Sequence, residues 1–166
     1  MAWPNGNNTD GSDDIITITR TADTTQYAIG DAVGAASAIY ETNVLGPANA
    51  RYLITAAHLF LAVASIPTGM TAGFNLRVFS SAPTAIVDNA AIGSTLTTAD
   101  IDKMQAKIAI PLPIDAGAWC EAWNDSLTVE VKLSSTGTLF LILETLSAFT
   151  PTSAAVKKIH LHGVVI

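Results

Sequence analysis

His58 is the residue of this sequence that most directly suggests catalysis, because a histidine can act as the general base that activates a serine. Such a site needs a serine within hydrogen-bond reach, a carboxylate behind the imidazole ring and backbone N–H groups that bind the oxyanion. The sequence would have to provide that serine in a glycine-rich loop. None of the nine serines that follow His58 lies in a Gly-Asp-Ser-Gly or Gly-x-Ser-x-Gly segment.

The residues before His58, Thr55-Ala56-Ala57, match the segment that carries the general-base histidine in chymotrypsin-like serine proteases. The rest of that family's pattern is missing, and 166 residues are too few for its two barrels. Asp88, Asp100 and Asp102 could provide a carboxylate, but a carboxylate without a nucleophile does not make a triad. We therefore predict that the protein is not an enzyme, that it has no catalytic residues, and that His58 lies on an apolar strand.

His160 and His162 are spaced as metal ligands on a strand could be, because side chains two residues apart point to the same side. A zinc site needs at least a third protein ligand, which His58 or a carboxylate would have to supply from elsewhere. Cys120 is the only cysteine, which excludes an intrachain disulfide and a cysteine-based zinc cluster. The simpler interpretation places Ile159 and Leu161 in the core and the two histidines outside. We predict no metal and no cofactor.

Trp119 and Trp123 lie four residues apart, and Glu121 and Asp125 flank Trp123. Carboxylates beside tryptophan could indicate a glycosidase or a sugar-binding platform. Aromatic residues grouped in this way are more typical of a core or a protein interface. A further tryptophan is followed by proline in the N-terminal segment, where it could anchor an arm on a neighbouring subunit. The predicted interface residues are Trp3, Pro4, Trp119 and Trp123.

Composition indicates a protein that packs against other proteins. Hydrophobic residues make up 49% of the chain and charged residues only 13%, while 27 alanines and 20 threonines provide small, neutral side chains. A net charge of −6, with eight basic residues, argues against binding to nucleic acid. No apolar run is long enough to span a bilayer, and the N-terminal segment has no signal pattern. We predict a protein that is cytosolic when made, has no membrane partner and forms a homo-oligomer.

The remaining pattern predicts short strands joined by turns. Residues 1–14 are rich in Asn, Gly, Asp and Ser and predict a flexible arm, and residues 15–166 predict one β-sandwich domain. One short helix is expected to begin after Thr97, which is a plausible N-cap with Asp100 three residues later. Two hairpins are expected, one between residues 51–67 and 74–79 and one across residues 134–137. The predicted fold is an all-β, antiparallel sandwich, with the jelly roll as one possible form. The strand segments are IITITR, RYLITAAHLFLAVASIP, FNLRVF, KIAIP, LTVEVKL, LFLILET and KKIHLHGVVI.

Several motifs occur in a recognisable order. A Pro-Thr-Gly-Met turn at residues 67–70 leads into an alternating strand that ends at Phe79, and the loop at Pro83 runs into Asp88-Asn89-Ala90-Ala91. The segment TADIDK follows, and the strand that begins at Leu139 closes with Thr150-Pro151. Over most of residues 27–160 this order resembles a family of small virion structural proteins of tailed bacteriophages. The resemblance implies a structural component of the virion with no enzymatic activity.

The leading hypothesis is a capsid decoration or cement protein, located in the virion, that bridges neighbouring subunits of the major capsid protein. Two alternatives stay open. The chain could be a tail, neck or baseplate component that contacts other virion proteins. It could also be a glycan-binding β-sandwich module, in which case Trp119 or Trp123 should be exposed to solvent.

Overall fold

Alternation of apolar and polar side chains places most of the chain in β-strands. In the first strand Ile16 and Ile18 are buried, whereas Ile15 and Thr17 are exposed. The computed structural model describes residues 13–166. In chain order, the elements are β1 Asp14–Thr19, β2 Ala32–Val33, β3 Tyr40–Glu41, β4 Arg51–Leu61, β5 Phe74–Phe79, α1 Ile92–Thr95, α2 Thr98–Lys103, β6 Met104–Ile110, β7 Ile114–Asp115, β8 Cys120–Asn124, β9 Val129–Lys132, β10 Phe140–Thr145 and β11 Val156–Val165.

The strands form two antiparallel sheets. The large sheet has the order β1-β11-β4-β8-β7, and β9 also pairs with β4. The small sheet has the order β2-β10-β5-β6, and β3 also pairs with β10. The predicted all-β sandwich is confirmed.

The strand pairing is that of a jelly roll. Early and late strands pair progressively: β1 with β11, β2 and β3 with β10, β4 with β8 and β9, and β5 with β6. The long antiparallel ribbon formed in this way then folds over, so that β11 pairs with β4 and β10 pairs with β5. This arrangement distributes successive strands between two sheets, as jelly rolls do. Jelly rolls perform many functions, so the fold alone assigns none.

One apolar core fills the space between the sheets. Side chains from β4, β5 and β11, such as Leu59, Leu76 and Ile159, have no exposed surface. A second cluster lies on the outer side of the small sheet, where Ile86 and Ile92 pack against Phe79. The segment that contains α1 therefore covers the outer side of the small sheet. The outer side of the large sheet keeps large apolar side chains exposed.

A β-bulge keeps both halves of β4 facing the core. Ile54 pairs with Gly163 and Ala56 pairs with His162, so Thr55 is an extra residue in β4. Even-numbered residues such as Ile54 point inward before the bulge, and odd-numbered residues such as Leu59 point inward after it. A regular strand would have turned one half of this apolar segment toward solvent.

Both predicted hairpins are wrong. β4 lies in the large sheet and β5 in the small sheet, so residues 62–73 cross between the sheets. β9 and β10 are likewise in different sheets, and Ser134 and Thr138 close a turn that makes this second crossing. β4 pairs instead with β11, β8 and β9, and β10 pairs with β2, β3 and β5.

The predicted helix is confirmed, and the structure adds a second. α2 begins after Thr97, and Asp100 accepts hydrogen bonds from the backbone N–H and the hydroxyl of that residue. Asp100 is buried and also accepts two bonds from Thr84, so it attaches the helix to the preceding loop. α1 is a single turn that has no side-chain cap and therefore gives little sequence signal.

Candidate interaction surface

The outer face of the large sheet carries a row of aromatic and imidazole side chains. His160 on β11 lies opposite His58 on β4, and His58 lies opposite Trp123 on β8. The alternation along β11 that buries Ile159 and Leu161 turns its histidines outward, as predicted. We define the aromatic–histidine patch as His58, Phe60, Trp119, Trp123, His160 and His162.

The rings of the patch are in contact across strands. The ring centroids of His58 and His162 are 4.8 Å apart, and those of Phe60 and His160 are 4.7 Å apart. The His58 ring lies 6.4 Å from the Trp123 ring. Because the side chains emerge from paired strands of a sheet, their positions are set by backbone hydrogen bonds. The patch is therefore a preorganised surface.

Trp119 and Trp123 lie on the same side of the chain. Cys120 and Ala122 point into the core, so the odd-numbered residues around them point outward. The exposed fraction is 45% for Trp119 and 41% for Trp123. The indole N–H of Trp119 donates a hydrogen bond of 2.8 Å to Glu121, which holds the ring in place. Trp123 lies within β8, whereas Trp119 lies in the bend that immediately precedes it.

Carboxylates hold two of the histidines. His58 Nε2 lies 2.5 Å from Asp125 Oδ1, and His162 Nδ1 lies 3.1 Å from Asp13 Oδ2. Burial, together with the neighbouring His162 and His58, lowers the pKa of His160 below its usual value. At neutral pH the His160 ring is thus kept uncharged, which suits contact with an apolar partner surface.

The structure places two of the four predicted interface residues on one face and adds further residues to that face. Trp119 and Trp123 share one face, whereas Trp3 and Pro4 lie outside the described residues. His58, Phe60 and the β11 histidines extend this face, and the sequence prediction did not join them to the tryptophans. Alternation along β11 predicted the outward direction of His160 and His162, whereas the direction of His58 and Phe60 was not predicted. Their proximity follows from the β11-β4-β8 register, which no local pattern encodes.

The environment of His58 is that of a surface aromatic cluster. Its ring contacts Asp125 and lies against Phe60, Trp123 and His162. Within residues 13–166, no group of three or more His, Cys, Asp or Glu side chains is arranged to hold a metal ion. No helix in the same range is long and apolar enough to cross a membrane.

Comparison with known proteins gives similarities of shape. No protein family and no curated protein matches the sequence. A chain from the capsid of Ralstonia phage GP4 aligns over 100% of this chain and 91% of its own, with 15% identity and a TM-score of 0.46. A chain from the full particle of Israeli acute paralysis virus heated to 63 degrees aligns over 92% and 68%, with 11% identity and a TM-score of 0.33. A chain from a marine algae virus of the order Picornavirales aligns over 95% and 68%, with 15% identity and a TM-score of 0.23. Each TM-score is below 0.5, so these likenesses concern general shape only.

Proposed function

We propose that this protein is a non-enzymatic structural component of a bacteriophage virion, and that it decorates the capsid by bridging neighbouring subunits of the major capsid protein. The observation that carries the proposal is the exposed aromatic–histidine patch on the outer face of the large sheet. The order of motifs over residues 27–160, which resembles that of small phage virion proteins, indicates the kind of partner.

The patch has the composition of a protein-binding surface. Tryptophan is the residue type most enriched among side chains that dominate binding energy at interfaces. Trp119 and Trp123 are large, held by neighbouring groups and half-exposed, so docking can bury them at small entropic cost. Two carboxylates at its rim, Asp125 and Asp13, lie within ion-pair distance of His58 and His162. A partner that covers the face therefore leaves neither carboxylate without a polar neighbour.

A bridging protein stabilises a shell by adding contacts across the boundary between neighbouring shell subunits. A rigid sheet face that spans two capsid subunits adds buried area where the shell subunits meet. Each subunit then dissociates only if it also breaks its contacts with the bridge. In this function the protein contributes stability to the shell and performs no chemistry.

The first test is the copy number of this chain in purified virions of the phage that encodes it. Quantitative mass spectrometry against the major capsid protein should give a ratio near one, or a simple fraction of one. A ratio of a few hundredths would instead favour the tail, neck or baseplate alternative. Absence from the particle would refute every virion assignment.

The second test concerns the patch itself. Trp123→Ala should weaken binding of the purified chain to particles that lack it by roughly 10- to 100-fold, because a central tryptophan anchor is lost. Ile29→Ala is the matched control, since Ile29 is 71% exposed and lies outside the patch. Equal binding of the two variants would show that the shell contacts another surface.

Glycan binding is the second candidate, and the exposure of both tryptophans favours it. Trp119, Glu121 and Trp123 form a row along β8 in which two indole rings flank a carboxylate, an arrangement that can stack sugar rings and bind hydroxyl groups. Titration with oligosaccharides of several linkages should then shift the tryptophan fluorescence of the isolated chain. The decoration function predicts no such shift.

A further inference from the structure

Three histidines meet at the centre of the aromatic–histidine patch. The ring of His162 lies 4.8 Å from that of His58 and 6.5 Å from that of His160. His58 and His160 are directly opposite each other on β4 and β11. All three rings are partly buried, with 24% of the His58 side chain and 33% of the His162 side chain exposed.

The charged groups around the cluster are few. Asp125, which follows β8, pairs with His58, and Asp13, which precedes β1, pairs with His162. On β11 itself, the positive charge of Lys158 contributes to lowering the pKa of His160. From β8, Glu121 lies opposite Phe60 and is engaged by Trp119.

His160 differs from its neighbours in the part of the chain that the structure describes. His58 and His162 each have a carboxylate within ion-pair distance. His160 lies between Ile15 on β1 and His58 on β4 and packs on Phe60, and no carboxylate bonds to it. A proton on His160 would therefore place an unpaired charge beside apolar and imidazole rings.

We propose that the aromatic–histidine patch docks onto its virion partner only while His160, at the centre of the histidine cluster, is neutral, so that acidification releases the chain. This inference rests on the proposed function, because it concerns the regulation of the same surface.

The direction follows from proton linkage. Docking removes the patch from water, and burial makes a charged imidazole less favourable than a neutral one. The bound state therefore holds fewer protons than the free state, and affinity falls as pH decreases through the range in which histidine titrates. Binding should therefore weaken between pH 7.5 and pH 5.5. Because the pKa of His160 is already lowered, the loss should stay below the roughly tenfold that an ordinary histidine would give.

The test measures binding of the purified chain to particles that lack it, by co-sedimentation between pH 5.5 and 7.5. The wild-type chain should bind more weakly at the acid end. His160→Gln keeps a polar side chain of similar size that does not titrate, and it should reduce this ratio. Ile29→Ala, which lies outside the patch and away from His160, is the control and should leave the ratio intact. A pH-independent affinity of the wild-type chain would overturn the inference while leaving the proposed function standing.

A second measurement on the isolated chain separates the two possible failures. The imidazole signals in two-dimensional NMR spectra of the isolated chain report the protonation of each histidine, and His160→Gln identifies the signal of His160. The His160 ring should be neutral at pH 7 and gain a proton only at acid pH. If His160 behaves in this way but the chain does not bind particles at any pH, the proposed function fails and the titration of His160 stands. If His160 keeps one protonation state between pH 7.5 and pH 5.5, it is not the sensor and the inference fails.

Discussion

Lys157 places an amino group inside the sandwich. It occupies an inward position on β11, between Ile18 and Leu61, and only 3% of the residue is exposed. Within residues 13–166 its Nζ has no hydrogen-bond partner. Burial lowers its pKa to about 8, although Asp88 acts in the opposite direction. Since the charged form is the dominant one at pH 7, this residue weakens the fold there.

The destabilising effect of the buried, charged Lys157 should appear in the pH dependence of the free energy of unfolding. The pKa of Lys157 is lower in the folded chain than in the unfolded chain, so the unfolded state holds more protons above pH 8. The lysine's contribution to the free energy of unfolding should therefore increase by up to about 1.4 kcal/mol per pH unit between pH 8 and 9.5. Urea unfolding across this range measures the effect.

Lys157→Met is the comparison that isolates the lysine. The buried thiol of Cys120, whose pKa is raised by burial, contributes a slope of opposite sign in both proteins. The difference in slope between wild type and variant therefore belongs to Lys157. The variant should also be more stable at pH 7, because it removes a buried charge and keeps the side-chain volume. Parallel pH profiles would show that the lysine is not buried as described.

The direction of some single side chains could be predicted from the sequence, and that of others could not. The outward direction of His160 and His162 was predictable from alternation with Ile159 and Leu161. The inward direction of Lys157 follows from the same alternation, yet a lysine is so rarely buried that composition argues against it. The exposure of Trp119 and Trp123 was not predictable, since aromatic residues occupy cores and interfaces alike.

At the scale of elements, strand positions could be predicted and strand partners could not. Alternation located β1, β5, β9 and β11, because each strand has one face in the core. The hairpin predictions failed because neighbours in sequence were assumed to be neighbours in a sheet. The bulge at Thr55 was also not predicted, since a single unpaired residue leaves no local pattern.

At the bulge, the backbone of Gly163 packs so closely against β4 that a side chain has no room. A Cβ atom at this position would lie 2.4 Å from the carbonyl oxygen of Leu53 and 2.5 Å from the ring of Tyr52. Gly163→Ala should therefore lower the free energy of unfolding by about 2–3 kcal/mol, because two central strands would have to separate. The midpoint of urea unfolding measures this loss.

Gly93→Ala provides the control. A Cβ at Gly93, in α1, would meet nothing within 4 Å, and alanine is the better helix former. Its stability should be unchanged or slightly higher. If the two alanine variants unfold at the same urea concentration, the close packing of β4 and β11 at the bulge is contradicted.

At the scale of the whole molecule, a bridging function requires more than one contact surface. Large apolar side chains are exposed on both sides of the sandwich: Ile15 and Trp123 on the large sheet, and Ile101 on α2 across the molecule. Self-association through one side would leave the other free for the shell. The prediction of a homo-oligomer therefore stands as a property that the isolated chain should show.

Sedimentation velocity over a hundredfold range of protein concentration tests this prediction. The sedimentation coefficient should indicate a defined multiple of the 17.2 kDa chain. A monomer at every concentration would refute self-association outside the particle. A Trp123→Ala variant that loses its oligomeric state would show that the patch joins copies of this chain.

The pairing of early with late strands also determines when this protein can fold. β11 lies between β1 and β4, and it places Leu161 opposite Asp14, so the large sheet stays incomplete until the final strand has left the ribosome. Contacts this distant in sequence give a high contact order and slow folding. Until β11 has been synthesised, the apolar faces of β4 and β5 are not covered by a complete sandwich and can associate with other chains. The topology therefore leaves the nascent chain open to misassociation until β11 has been synthesised.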